Sequence, residues 1–367
     1  MSFSGLRVLL VGPLPPPAGG MANQTRQLAE LLRSEGASVE LVRVNAPYRP
    51  AWAERLKGIR ALFRLLPYLV QLWRGAGRAD VAHVMANSGW SWHLFAAPAV
   101  WIASLRGVAV VVNYRGGEAG SFLAHAAGAV RTSMRRAALL AVPSGFLRKV
   151  FAQHGMPARI VPNIIDLARF HPAPQPRRPA AAPHLLVARN LEAIYGNDTA
   201  LHAFALLSAH YPAATLTLAG EGPQAQALER LARELGVADR VRFSGRLDRD
   251  EMAALYRDAD LMLNASRVDN MPNAILEALA SGLPVVTTAA GGIPFMVEHR
   301  RTAMLVAVDD AAALAEAVRA VLDDAALYEA LRARGLDEVQ RYCWPSVRAE
   351  LLAAYQDAMQ GEEARRK

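Results

Sequence analysis

The sequence is poor in cysteine and lysine, and it lacks a long uninterrupted apolar run. Its 367 residues include one cysteine, Cys343, which excludes an internal disulfide and favours a reducing compartment. The most apolar long stretch, residues 90–112, is interrupted by Pro98 and Arg106, so it predicts a helix, a turn and a strand rather than a membrane span. The apolar run at 8–11 is too short for a secretory signal. We therefore expect a cytoplasmic protein.

Two further absences narrow the class of protein. The loop at residues 15–21 does not have the G-x-G-x-x-G spacing of dinucleotide-binding dehydrogenases. The sequence also shows no helix-turn-helix, zinc-ligand or stacking-aromatic pattern, so nucleic acid is not an expected partner. A composition of 53% hydrophobic and 20% charged residues is typical of a folded globular chain. Its length suits two α/β domains of ordinary size.

Short apolar segments alternate with amphipathic ones along most of the chain, for example the predicted helices at 21–36 and 146–154. Such alternation predicts parallel, doubly wound sheets. We predict a first Rossmann-like domain at 1–165, a proline-rich linker at 166–183, and a second Rossmann-like domain at 184–344. The predicted strands are 7–11, 39–44, 81–85, 108–114, 139–142, 159–161, 184–188, 214–219, 241–244, 261–264, 284–288 and 303–306.

The most informative segment is residues 266–294. Asp269 lies in a turn-rich loop, and Glu277 lies about two turns inside a predicted helix whose N-cap we expect to be Asn270. A buried strand and the pair Gly291-Gly292 follow. Carboxylates accept hydrogen bonds from sugar hydroxyls, a helix N-terminus attracts phosphate, and glycines allow close backbone approach. Together these features predict a pocket for a sugar joined to a phosphate.

This segment resembles the donor site of the family 4 retaining glycosyltransferases, which share the two-domain GT-B fold and carry an E-x7-E motif there. Asp269 stands in place of the first Glu, and Glu277 matches the second. The resemblance implies that Glu277 binds the ribose of a nucleotide and that Asp269 contacts the donor sugar. It also implies two Rossmann-like domains facing a central cleft, with a C-terminal helix at 345–367 that crosses back to the first domain.

Arg189 matches an arginine that clamps the donor diphosphate in this family. The family's lysine has no counterpart, because residues 194–196 are Ile-Tyr-Gly and no lysine occurs between Lys149 and Lys367. Tyr195, Asn197, backbone amides or an arginine of the first half are the alternatives. By resemblance, the remaining donor-site residues are Gly19, Gly20, Gly245, Arg246, Asn270, Met271, Pro272, Asn273, Gly291 and Gly292.

Many relatives carry a histidine after the strand predicted at 108–114, and this chain has Tyr114-Arg115 there. Arg115 is the candidate catalytic residue, because a guanidinium can orient an acceptor or stabilise a leaving phosphate. Tyr114 and His83, the latter expected at the end of its strand, are the alternatives. The D-x-D sequence at 258–260 resembles a metal motif, but we interpret it as structural because other ligands are not near it in the sequence.

The resemblance implies a retaining, metal-independent enzyme without a cofactor. It would transfer a sugar from a UDP- or GDP-sugar to an acceptor hydroxyl in bacterial polysaccharide or glycolipid synthesis. Two alternatives remain, namely a nucleotide-sugar-binding protein that has lost catalysis, and a GT-B nucleotide-sugar epimerase.

Charge is unevenly distributed, with a net +13 over residues 1–175 and −5 over residues 176–367. Residues 54–74 predict a basic amphipathic helix, or two helices that meet at Pro67. These features favour a lipid-linked or polysaccharide acceptor and peripheral binding to an anionic membrane on its inner face. The alternatives are solvated arginines and a helix that buries one face on its own domain.

Overall fold

The computed structural model describes residues 2–16, 19–48, 52, 55, 60–174 and 182–366. These residues form two compact units. The first comprises Met1–Ile164 together with Trp344–Lys367, and the second comprises Ile165–Cys343. Residues 175–181 of the predicted linker, part of the 15–21 loop and most of residues 49–59 lie outside the described residues.

In the first unit, six described strands form a fully parallel sheet of order β2-β1-β3-β4-β5-β6. Its strands are β1 (Arg7–Gly12), β2 (Ser38–Arg43), β3 (Val81–Ala86), β4 (Ala109–Tyr114), β5 (Leu139–Val142) and β6 (Arg159–Ile160). The helices between them are α1 (Gly20–Ser34), α2 (Arg60–Ala76), α3 (Ala97–Leu105), α4 (Ala119–Met134) and α5 (Gly145–Gln153). The order reverses between β1 and β3, which is where ligands bind in open α/β sheets.

In the second unit, six described strands form another fully parallel sheet, of order β12-β11-β10-β7-β8-β9. Its strands are β7 (His184–Ala188), β8 (Thr215–Ala219), β9 (Val241–Gly245), β10 (Leu261–Asn264), β11 (Val285–Thr288) and β12 (Met304–Val306). Its helices are α6 (Asn197–Leu207), α7 (Ala225–Glu234), α8 (Arg249–Asp258), α9 (Asn273–Ala280), α10 (Ala311–Asp323) and α11 (Ala325–Val339). This is the order of a dinucleotide-binding Rossmann sheet, and its reversal lies between β7 and β10.

Both sheets are covered on their two faces, as parallel sheets require. Every residue of β3 and β4 is buried, and so is every residue of β10 and β11. Branched and small apolar side chains dominate these strands, so they pack tightly under the flanking helices. All predicted strands are confirmed within two residues at each end. In the 90–112 stretch, the structure differs from the predicted helix, turn and strand by a π-helical turn, Trp92–Ala96, that precedes α3.

The last helix, α12 (Trp344–Arg366), belongs to the first unit. It buries Val347, Leu351 and Tyr355 against the core that covers one face of the first sheet. The Tyr355 hydroxyl lies 2.9 Å from Nδ1 of His83 on β3. Among the described residues, no helix has the length and apolar character needed to cross a bilayer.

Candidate functional site

The reversal point of the second sheet brings Arg189 and Asp269 together. Arg189 directly follows β7, and Asp269 lies in the loop that follows the neighbouring strand β10. An Arg189 guanidinium nitrogen donates to Oδ2 of Asp269. The two side chains are only 11% and 12% exposed, so this ion pair is largely shielded from water. Two residues 80 positions apart in the sequence are thus in direct contact.

The guanidinium of Arg189 is held on a second side by Tyr195. Its central carbon lies 4.1 Å from the centre of the Tyr195 ring, a distance typical of a cation–π contact. Tyr195 ends a short 3-10 turn, Ala193–Tyr195, ahead of α6. The Nε atom of Arg189 is buried and has no hydrogen-bond partner within the described part of the chain. Arg189 therefore retains a donor that a ligand can use.

Two opposing effects act on the carboxylate of Asp269, because hydrogen bonds and a nearby charge favour its ionised form and burial disfavours that form. Oδ1 accepts a hydrogen bond of 2.9 Å from the amide of Asn270. Burial raises the pKa of Asp269, and the nearby charge of Arg189 opposes that rise without cancelling it.

Glu277 is the fifth residue of α9. Its Oε2 accepts a hydrogen bond of 3.1 Å from the hydroxyl of Tyr256, on α8. Burial raises the pKa of Glu277, while the Tyr256 hydroxyl and the charges of Arg249 and Arg189 work in the opposite direction. Because Arg189 acts on both carboxylates, the three groups form one electrostatic unit.

The start of α9 differs from the prediction. The helix begins at Asn273 with Pro272 at the N-cap position, so the assignment of Asn270 as N-cap was wrong. Glu277 consequently lies little more than one turn inside the helix. The proline ring disfavours the α conformation of the residue before it, Met271, which explains why the helix begins only after Pro272. Met271 also packs in the apolar core of this unit, so its side chain is structural.

Gly291 and Gly292 pack against the backbone of the Asp269 loop. A Cβ at Gly291 would lie 2.1 Å from the Asp269 carbonyl oxygen, and one at Gly292 would lie 1.9 Å from that of Asn270. The Gly292 amide donates to the Asp269 carbonyl at 2.9 Å. That amide is therefore engaged within the protein.

Other glycines, which sequence analysis did not assign to the site, support the Arg189 loop in the same way. A Cβ at Gly220 would lie 2.1 Å from the Arg189 carbonyl oxygen, and one at Gly222 would lie 2.4 Å from that of Leu191. Gly196 has a positive φ of 59°, and its Cβ would lie 2.1 Å from the Ala265 carbonyl. The loops after β7, β8 and β10 are therefore in backbone contact. The G-x-G-P sequence at 220–223 was the signal for two of these contacts.

The remaining donor-site candidates surround this centre. Asn197 is buried at the start of α6, where Nδ2 donates to the Asn190 carbonyl at 2.9 Å and Oδ1 has no partner among the described residues. Gly245 ends β9, the edge strand, with a positive φ of 68°, and it bridges to Gly220. Arg246 forms an exposed ion pair of 2.9 Å with Glu221. These two residues lie two strands away from Arg189 in the sheet order.

In the first unit, Arg115 follows β4 and donates to Oδ1 of Asn163. Burial lowers the pKa of the Arg115 guanidinium to about 10, and its buried Nε has no partner in the described ranges. Gly19 is extended, and a Cβ there would contact nothing within 4 Å. Gly20 opens α1 beside it.

Tyr114 and His83 are core residues. The Tyr114 hydroxyl lies 2.6 Å from Oγ of Ser88, and its ring packs on Phe151. His83 is the third residue of β3 rather than its last, which corrects the predicted position. It contacts Tyr355 and Asn113, and burial lowers its pKa to about 3. A fully buried neutral imidazole is structural, so Arg115 is the remaining candidate of the three.

Within the described residues, no group of three or more His, Cys, Asp or Glu side chains could hold a metal ion. Asp260 accepts a 2.8 Å hydrogen bond from the His184 amide at the amino end of β10. Asp269 follows the opposite end of that strand. Asp260 therefore has a structural hydrogen bond at the end of β10 that lies away from Asp269.

Two family models match this chain. One is described as Glycosyltransferase Family 4 and matches residues 18–169, and the other is described as Glycosyl transferases group 1 and matches residues 182–324. A glycogen synthase of Mycobacterium tuberculosis is 28% identical over 399 residues, covering 97% of this chain and 96% of that protein. A GDP-mannose-dependent alpha-(1-6)-phosphatidylinositol monomannoside mannosyltransferase of Mycobacterium tuberculosis is also 28% identical, covering 98% and 100%.

Solved structures resemble the chain over nearly its whole length. HepE of Anabaena in complex with UDP has a TM-score of 0.72 at 17% identity, covering 95% of this chain and 99% of that one. Sucrose-phosphate synthase of Thermosynechococcus elongatus has a TM-score of 0.75 at 22% identity, covering 96% and 98%. At these identities the similarity concerns the fold, which agrees with two Rossmann-like units.

Proposed function

This chain belongs to the family 4 glycosyltransferases, and from that premise we propose that it transfers a sugar from a UDP- or GDP-sugar to an acceptor hydroxyl with retention of anomeric configuration. The observation that carries the proposal is the contact of Arg189 with Asp269 at the reversal point of the second sheet, in electrostatic reach of Glu277. A cation that contacts one buried carboxylate and acts on a second through its charge suits a donor that has a diphosphate between two sugars.

Each of the three side chains has a distinct part in donor binding. Glu277, oriented by Tyr256, accepts hydrogen bonds from the ribose hydroxyls. Asp269 accepts hydrogen bonds from hydroxyls of the transferred sugar. Arg189 uses its unpartnered Nε and its forked geometry to bind the diphosphate, while Tyr195 keeps the guanidinium plane in place.

During transfer, the bond between the anomeric carbon and the diphosphate oxygen breaks, and a bond from that carbon to the acceptor oxygen forms on the same face. The acceptor proton passes to the departing phosphate, which yields a nucleoside diphosphate and a glycoside. Negative charge develops on the leaving oxygen, and Arg189 stabilises it in a site with little water. We assign this role to arginine rather than to a metal ion.

The names of relatives support the donor and acceptor classes. The Anabaena structures contain UDP, in one case with glucose, and the mycobacterial mannosyltransferase is GDP-mannose-dependent. The same mannosyltransferase acts on a phosphatidylinositol monomannoside, and a second relative is a glycogen synthase. A lipid-linked or polysaccharide acceptor at the inner face of the membrane fits both names.

A thermal-shift screen of UDP- and GDP-sugars identifies the donor, and an assay of donor hydrolysis and transfer then compares the wild type with Glu277→Gln and Arg189→Gln. We expect both variants to lose at least about 100-fold in kcat/KM, Arg189→Gln because it removes the charge that stabilises the leaving phosphate, and Glu277→Gln because it removes binding energy at the ribose that positions the donor. Glu316→Gln, a surface variant on α10, is the matched control and should keep full activity. NMR of the product reports the anomeric configuration.

Three outcomes would overturn this proposal. An inverted product anomer refutes retention, and loss of activity with EDTA refutes metal independence. A free epimerised nucleotide-sugar as sole product would identify an epimerase, and a bound donor that is never consumed would identify a binding protein.

A further inference from the structure

Exposed large apolar side chains are concentrated in one part of the first unit. Of the ten found among the described residues, seven lie between positions 52 and 105, including all three exposed tryptophans. Isolated exposed apolar residues are common, but a contiguous group marks an interaction surface. The seven are Trp52, Leu62, Leu66, Val70, Trp73, Trp90 and Leu105.

Helix α2 carries four of them along one stripe. At 100° per residue, Leu62, Leu66, Val70 and Trp73 fall within an arc of about 80°. They are 51%, 59%, 48% and 50% exposed. The adjacent arc of the same helix is formed by Tyr68, Leu72 and Ala76, which are buried in the core of the unit. The apolar surface of α2 is therefore wider than the part that is buried in the core of the unit.

The end of α3 extends this stripe. The guanidinium of Arg106 lies 4.9 Å from the centre of the Trp73 ring, which places the end of α3 beside the C-terminal end of α2. Leu105, the last residue of α3, is 65% exposed. We call Leu62, Leu66, Val70, Trp73 and Leu105 the apolar face.

The sequence around the apolar face is rich in basic residues. Between Glu54 and Glu118 it has eight Arg and Lys residues and a single acid, Asp80, which is paired with Arg7. Arg74 and Arg106 are exposed next to the apolar face. Guanidinium groups beside tryptophan and leucine match the boundary between lipid headgroups and acyl chains.

From this combination we propose that the apolar face binds the surface of a bilayer that contains anionic phospholipids, with α2 lying in the plane of the interface. A second copy of the chain is a poorer match, because a symmetric contact through this face would bring the exposed Arg74 and Arg106 of both copies into one interface. The physiological purpose, access to a lipid-linked acceptor, rests on the proposed function, but vesicle binding itself does not.

The test is co-sedimentation of the full-length protein with vesicles of phosphatidylcholine alone and with equal parts of phosphatidylcholine and phosphatidylglycerol. We expect binding to the anionic vesicles at low salt and release at high salt. The double variant Leu66→Ser/Trp73→Ser should bind at least about tenfold more weakly, because it removes two large apolar groups from the interface. Leu206→Ser, on α6 of the second unit and 51% exposed, is the matched control and should bind as the wild type does.

Failure of the wild type to bind anionic vesicles at low salt overturns the proposal, as does undiminished binding by the double variant. A dimer in light scattering that the double variant abolishes would assign the face to a second copy instead. Circular dichroism verifies that the variant is folded. Donor hydrolysis measured on the same samples separates the two proposals, because a wild type that binds vesicles but never consumes a donor refutes only the proposed function.

Discussion

The two buried carboxylates of the second unit are compensated to different degrees. Asp269 contacts Arg189 directly, whereas the hydrogen-bond donor to Glu277 is the neutral hydroxyl of Tyr256, with Arg189 and Arg249 acting from further away. An ionised group in a shielded site costs free energy unless a charge and hydrogen bonds offset it. Burial of Glu277 is thus expected to oppose stability, and under the proposed function ligand binding explains why a carboxylate is kept there.

We predict that Glu277→Gln raises the free energy of unfolding at neutral pH by about 1 kcal/mol. The amide fills the same volume and its oxygen can accept the Tyr256 hydrogen bond. Burial raises the pKa of Glu277, so the folded wild type binds its proton more tightly than the unfolded chain does. The wild type therefore loses stability as pH rises from the unfolded pKa, about 4.3, through the folded pKa.

The gain in the free energy of unfolding of Glu277→Gln should accordingly be small at acidic pH, grow between the unfolded and the folded pKa, and level off above the folded pKa. Urea unfolding at a series of pH values measures this gain. Glu316→Gln, on the exposed surface of α10, is the control, because it makes the same change of side chain away from the buried carboxylates. A gain of the same size at every pH would show that the carboxylate is not the cause.

At the scale of elements, the loops after β7, β8, β10 and β11 support one another through backbone contacts at glycines. A contact with a carbonyl leaves less freedom to adjust than a contact with a flexible side chain. The position of Asp269 is thus set by the loop after β11 as much as by its own strand. Such support holds a site near its productive geometry before any ligand binds.

We predict that Gly292→Ala lowers kcat/KM by at least about 100-fold, because displacing a positioned group by about 1 Å has that effect. The new Cβ would lie 1.9 Å from the Asn270 carbonyl oxygen, so the Asp269 loop must move. Gly128→Ala, on α4, is the control, since a Cβ there meets nothing within 4 Å and alanine favours a helix. Unchanged kinetics in Gly292→Ala would refute the supporting role of this loop.

The strands could be predicted from the sequence because buried parallel strands appear as short runs of Val, Leu, Ala and Ile bounded by turns, as in Val81–Ala86 and Leu261–Asn264. Carboxylates and glycines could be recognised from local spacing. The contact of Arg189 with Asp269 could not, because it depends on which strands are neighbours across 80 residues. The start of α9 was misplaced because an Asn side chain such as that of Asn270 is typical of an N-cap. In the structure it is Pro272 that has the extended backbone conformation of the N-cap residue.

At the scale of the whole molecule, the first unit depends on α12. Val347, Leu351 and Tyr355 are at most 1% exposed, and they pack on residues of β1, β3 and β4. Burying a large apolar side chain contributes about 1.5–3 kcal/mol. The three together are comparable with the total stability of an ordinary domain, about 5–15 kcal/mol.

We predict that deletion of residues 344–367 unfolds or aggregates the first unit, while deletion of residues 361–367 leaves it folded. The shorter deletion removes residues that are mostly exposed. Limited proteolysis distinguishes the two, because cleavage should spread through residues 1–164 in the long deletion and remain at the termini in the short one. Protease resistance of the long deletion equal to that of the full chain would contradict this dependence.

The return of the chain to the first unit at Trp344 also sets an order for synthesis on the ribosome. Residues 165–343 are continuous in the sequence, so they can complete their own core as soon as they emerge. Residues 1–164 emerge earlier but must wait for the last helix, and until then α1 covers one sheet face only over β1 and β2, while the part over β3, β4 and β5 lacks its helix. We therefore expect the half that is translated second to mature first, and the nascent N-terminal half to be the part that occupies chaperones.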